Sequence, residues 1–84
     1  MTEEELRACA HDFKEACYHE VRCAIVDKVA KAAKIDARPF QAMLRAAKHT
    51  EDLRRIFVDL YWKARAVLFP PQLSSLEYFR KCMN

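Results

Sequence analysis

The sequence predicts an all-α fold, a compact bundle of about four helices forming one domain over residues 1–84, and three observations carry that expectation. Glycine is absent from all 84 residues, although hairpin turns, phosphate loops and dinucleotide folds need it where φ turns positive or a backbone must approach a phosphate. Apolar residues recur at three- and four-residue steps, the spacing of one helical face. Helix-start signatures stand at Thr2, Asp36, Thr50 and Ser74, each a short side chain whose oxygen can accept from open N–H groups. At 52% hydrophobic and 32% charged residues, the chain is too apolar for a disordered tail. Its length allows roughly 64% of the unfolded surface to be buried, a modest core.

The first element opens at Thr2, where Glu3, Glu4 and Glu5 place carboxylates against the positive end of the helix dipole. Leu6, Ala10, Phe13, Cys17, Val21 and Ala24 then share one face, and the pattern continues through Ile25 and Val29 to Ala33. No Pro, Gly or turn cluster interrupts it, so the expectation is one long N-terminal helix of about thirty residues. Two helices broken around His19 to Val21 are the alternative.

Ile35-Asp36-Ala37-Arg38-Pro39 is the first punctuation, with Asp36 as N-cap and Pro39 tolerable in the first helical turn. The short helix that follows, to about Lys48, turns Phe40, Met43, Leu44 and Ala47 inward and Arg38, Gln41, Arg45 and Lys48 outward. Thr50 with Glu51 and Asp52 opens a central apolar helix over 51–69, closed by Pro70-Pro71. It carries two apolar stripes. Leu53, Ile56, Phe57, Leu60, Ala64, Val67 and Leu68 form one; Val58, Trp62, Ala66 and Phe69 form a second, because Trp62 stands about 200° around from Leu60. A helix apolar on two sides is either wrapped by its neighbours or shares one side with another molecule. Ser74-Ser75-Leu76-Glu77 is a capping box for a last short helix with Leu76, Phe79 and Met83 inward.

Formal charge is +3, unevenly spread. Residues 1–20 set six acids against Arg7 and Lys14, a net of −4; residues 21–49 set seven bases against Asp27 and Asp36, a net of +5. An acidic end and a basic middle attract each other within a chain, between copies, or toward a polyanion.

Catalytic and metal chemistry find little support. His11, Glu15, His19 and Cys23 climb one side of the first helix at four-residue steps, but one helix rarely closes a four-ligand shell, since the outer members stand about 18 Å apart along the axis. No metal and no cofactor are expected. Cys23 with His19 lacks an oxyanion hole and a third residue to orient the imidazole, so the expectation is no enzyme and no small-molecule substrate. Cys9, Cys17, Cys23 and Cys82 read as buried, reduced thiols. With an acidic N-terminus and no apolar run of membrane length, a cytoplasmic protein without a membrane partner is expected.

Residues 29–44 offer a different function. Ala30 is small, Ile35 sits in the turn, and Phe40 and Met43 pack from the second helix; with this spacing the stretch resembles a DNA-binding helix-turn-helix motif. Lys34 stands where that motif usually has glycine. The resemblance implies a recognition helix presenting Arg38, Gln41, Arg45 and Lys48 to a major groove. An ordinary helical hairpin with a solvated basic face has the same pattern.

The leading expectation is a non-catalytic interaction protein that acts by binding a macromolecular partner, as an adaptor, an assembly subunit or a phage-type inhibitor of a host complex does. Its binding residues would be Val58, Trp62, Phe69, Arg55 and Arg65, with a protein partner or self-association as a homodimer. Trp and Arg together are enriched at interface hot spots. A helix-turn-helix DNA-binding regulator using residues 29–48 is the alternative.

Overall fold

Thr2 starts the first helix through a reciprocal pair of hydrogen bonds. The Glu5 N–H donates to Thr2 Oγ1 at 3.2 Å and the Thr2 N–H to Glu5 Oε1 at 3.4 Å, satisfying donors that a helix start leaves open. This is α1 (Glu3–Glu15), followed by α2 (His19–Ala32), α3 (Arg38–Ala46) and α4 (Thr50–Leu68). The computed structural model describes residues 1–70. The expected last helix, with Ser74, Leu76, Glu77, Phe79 and Met83, lies outside them, as does Cys82. Among the described residues there is no strand, and the architecture is a small all-α bundle.

The expected long N-terminal helix is instead two helices parted at residues 16–18, without glycine or proline. Ala16 turns extended at φ −67°, ψ 129°, and Arg22 Nη2 reaches back from α2 to donate to the Ala16 carbonyl at 2.9 Å. The break has a packing cause. In a continuous helix over 3–33, Phe13 and Val29, sixteen residues apart, would stand about 160° apart around the axis, so both could not face α4. Folding back lets α1 and α2 each contact α4 as well as each other. The break also resets the helical phase: Val26, Val29, Ala30 and Ala33 are buried while Val21 and Ala24 are exposed, contrary to the continuous stripe.

α2 ends in a left-handed residue. Lys34 takes φ 58°, the Ile35 N–H donates to the Ala30 carbonyl at 2.8 Å and the Lys34 N–H to Lys31 at 3.2 Å. These are the two bonds of a Schellman motif, which favours glycine at this residue. Asp36, expected as N-cap, stands one residue too early: the N-cap of α3 is Ala37, without a side-chain cap, while Asp36 accepts from the Arg38 N–H at 3.0 Å across the turn and Pro39 sits in the first turn. At the start of α4 the expectation shifts by one residue. His49 is the N-cap and Thr50 the first helical residue, with no side-chain cap.

α2 and α4 each touch every other helix, whereas α1 and α3 do not meet. Phe57, Leu60 and Ala64 of α4 are therefore buried against Leu6, Cys9 and Phe13 of α1, the buried face of α2, and Phe40 and Leu44 of α3. Phe13 and Phe57 stack with ring centroids 4.3 Å apart. Val67 and Met43, both expected inward, are exposed.

Candidate functional site

α4 packs against three helices and still leaves one side to solvent. Trp62 is 60% exposed and Val58, one turn earlier, 51%; Ala66 and Arg55 are exposed on the same side. The Trp62 ring is held in place. Tyr61 meets it edge-on at 5.6 Å between centroids, and the Arg65 guanidinium carbon lies 5.9 Å from its centroid, within cation–π range. Arg65 Nη1 in turn donates to Glu3 Oε1 at 2.6 Å, so the residue bracing the tryptophan is itself tied to α1. That bond and charge hold the Glu3 carboxyl below the usual carboxylate range and raise Arg65.

Two grooves flank this ridge. Between α1 and α4 lies one of about 310 Å³, lined by Ala10, Phe13, Lys14, Arg54, Phe57 and Val58. Between α3 and α4 lies another of about 340 Å³, reached by Met43, Ile56 and Arg55. The five residues expected to bind a partner are thus divided. Val58 opens onto the first groove, Arg55 onto the second, Trp62 stands on the exposed ridge, and Arg65 braces it. Phe69 differs: past the helix end at φ −130°, it is half-buried and packs partly against the core.

The basic residues of the helix-turn-helix register lie at the surface, and one of them is ion-paired. Arg38 is engaged by Asp36, with Nε donating at 3.0 and 3.1 Å and Nη2 at 2.9 Å. This pairing lowers Asp36 and raises Arg38. Gln41 is half-buried; Arg45 and Lys48 are exposed.

The His-Glu-His-Cys ladder is cut by the break after Glu15. His19 Nε2 and Cys23 Sγ remain 3.3 Å apart on α2, but no group of three His, Cys, Asp or Glu side chains among the described residues is placed to hold a metal. Cys9 is buried, and desolvation pushes its thiol up. Cys17, expected buried, is exposed because it falls in the connection between α1 and α2. No helix among the described residues is long and apolar enough to cross a membrane.

Sequence reasoning missed the α1 side of the site. Glu3, Arg7, Ala10 and Lys14 follow one another at four, three and four residues, a row on one helix face, and the structure sets that row beside α4. The spacing was readable. What it faced was not.

No family model, no curated protein and no solved structure matches the chain.

Proposed function

We propose that the chain is a non-catalytic helical interaction protein that acts by occupying a macromolecular partner, as an adaptor, an assembly subunit or a phage-type inhibitor of a host complex does. The observation that carries this reading is the exposed Trp62, held between Tyr61 and Arg65 with Val58 one turn away. Exposing a large aromatic forgoes the burial that would stabilise a small domain. An aromatic fixed before binding loses little rotamer freedom on association, which is where much of the cost of binding arises. The partner is a protein or a second copy of the chain, met in a reducing cytoplasm where Cys17 stays a thiol.

The test compares the chain with Trp62→Ala in two measurements: sedimentation for self-association, and retention of proteins from the native host extract. Loss of either association, with helicity intact, is the expected result. Identical association states and identical retained proteins would sink the reading.

A second reading, DNA binding through residues 29–48, draws on one observation. Lys34 adopts the left-handed turn conformation where the helix-turn-helix register usually has glycine, and Arg45 and Lys48 beyond it are exposed. Binding of this kind falls steeply with salt. Retention on duplex DNA at low salt that is abolished by Arg38→Ala with Arg45→Ala would support it. Absence of retention by the unmodified chain removes it and leaves the interaction reading standing.

A further inference from the structure

We infer that the seam between α1 and α4 receives an amphipathic helix with acidic flanks from the protein partner. This deepens the reading of Trp62 as an interface residue and rests on it. α1 and α4 run antiparallel, since Glu3 meets Arg65 and Phe13 meets Phe57. The seam therefore extends from Glu3 and Arg65 to Lys14 and Arg54, eleven residues of helix or about 16 Å, the length of three turns. Its groove is about 310 Å³ and floored by the Phe13–Phe57 stack, with Ala10 on one wall and Val58 on the other. The groove occupies the Lys14–Arg54 end of the seam, residues 10–14 against 54–58, and with exposed Trp62 one turn beyond Val58 the surface from Arg54 to Trp62 runs about 12 Å, which suits a helix read through residues at i, i+4 and i+7.

Charge selects the kind of helix. Along the α1 row stand Arg7 and Lys14, and along the α4 row Arg54 and Arg65; the acid within these rows is Glu3, which bonds both Arg7 and Arg65. Lys14 and Arg54 are exposed at the groove's far end and make no ion pair among the described residues. Arg22 lies in the adjoining recess with Lys14 and Arg54. A partner helix with Asp or Glu on either side of its apolar stripe meets this field; one flanked by Lys or Arg is repelled. A nucleic acid would meet the same bases, but a duplex presents no apolar ridge to fill a trough floored by two phenylalanines.

A displayed library of helical peptides, leucine fixed at i, i+4 and i+7 and the flanks randomised, is selected on the full chain. Flanks enriched in Asp and Glu are expected. The pool should lose affinity by about tenfold on a Lys14→Glu, Arg54→Glu variant, because reversing two exposed charges turns two attractions into repulsions. Both side chains are exposed, so the variant's circular dichroism should match the parent's. Neutral or basic flanks, or indifference to the charge reversal, overturn the proposal. So does displacement of the pool by a single-stranded oligothymidine at equal concentration, which would reassign the bases to nucleic acid. Trp62→Ala separates the two levels: a pool of neutral flanks that still needs Trp62 leaves the interface reading intact and removes the acidic partner. A pool that neither change affects removes both.

Discussion

Glu3 Oε1 accepts from Arg65 Nη1 at 2.6 Å, fastening the first residue of α1 to the last turn of α4. The same guanidinium sits over Trp62, so the N-terminus and the exposed tryptophan share one bracing residue.

That link makes stability depend on acid. Glu3 is held below its usual range, chiefly by the hydrogen bond from Arg65 and then by its charge. A depressed folded value means the unfolded chain takes up the proton first. The contribution is therefore fully present above about pH 4.3, the unperturbed glutamate value, and is lost as pH falls through the folded value. Melting temperatures of the parent and Glu3→Gln should differ at neutral pH and converge in acid; a gap that persists at the lowest pH would show that the ion pair is not its source.

Phe57 and Trp62 stand five residues apart on α4 and should respond oppositely to truncation. Phe57→Ala opens a cavity beside Phe13 and should cost about 3–5 kcal/mol, a large part of the 5–15 kcal/mol that holds a small domain. Trp62→Ala removes a largely exposed side chain with its edge-on contact to Tyr61 and one cation–π contact, so its cost should stay under about 2 kcal/mol. Urea titrations of both variants read the difference directly. Equal losses would mean that Trp62 is covered in solution.

Lys34 supplies a stabilising change. A residue with a Cβ at φ 58° carries about 1–2 kcal/mol of left-handed strain, which Lys34→Gly relieves against a smaller entropic loss. The variant should melt about 4 °C higher, whereas Lys34→Val, β-branched in the same conformation, should melt lower. A glycine variant that melts below the parent would show that the turn is not left-handed.

The cysteines should react in order of exposure. In a Cys82→Ser background, a thiol–disulfide reagent should modify Cys17 first, half-buried Cys23 next, and Cys9 only as fast as the chain opens. Cys9 is doubly protected, by burial and by a thiol held protonated. Prompt modification of Cys9 in the folded chain would contradict its place against α4.

Local chemistry in the sequence was enough for several features, because each depends on residues within one turn of each other. Thr2 capped α1 as its hydroxyl predicted, the start of α3 fell one residue from the expected Asp36 cap, and the helix ahead of Pro70 ended within one residue of its expected limit. The second stripe of α4 was likewise legible from angle alone, since Val58, Trp62 and Ala66 share a side whatever packs against the other.

Contacts between distant residues decided the rest. Nothing in residues 16–18 names a turn; the chain breaks there because two helices can each turn a buried face to Phe57, Leu60 and Ala64, where one continuous helix would hold those faces on different sides. Phe69 carries the same apolar code as Trp62, yet the backbone past the helix end turns it partly toward the core. The pairing of Lys14 with Arg54 across the seam joins residues forty positions apart. Periodicity places each residue on a face of its own helix, but which face meets which is set by the single packing that buries Phe13, Val29 and Leu44 against one central helix at once.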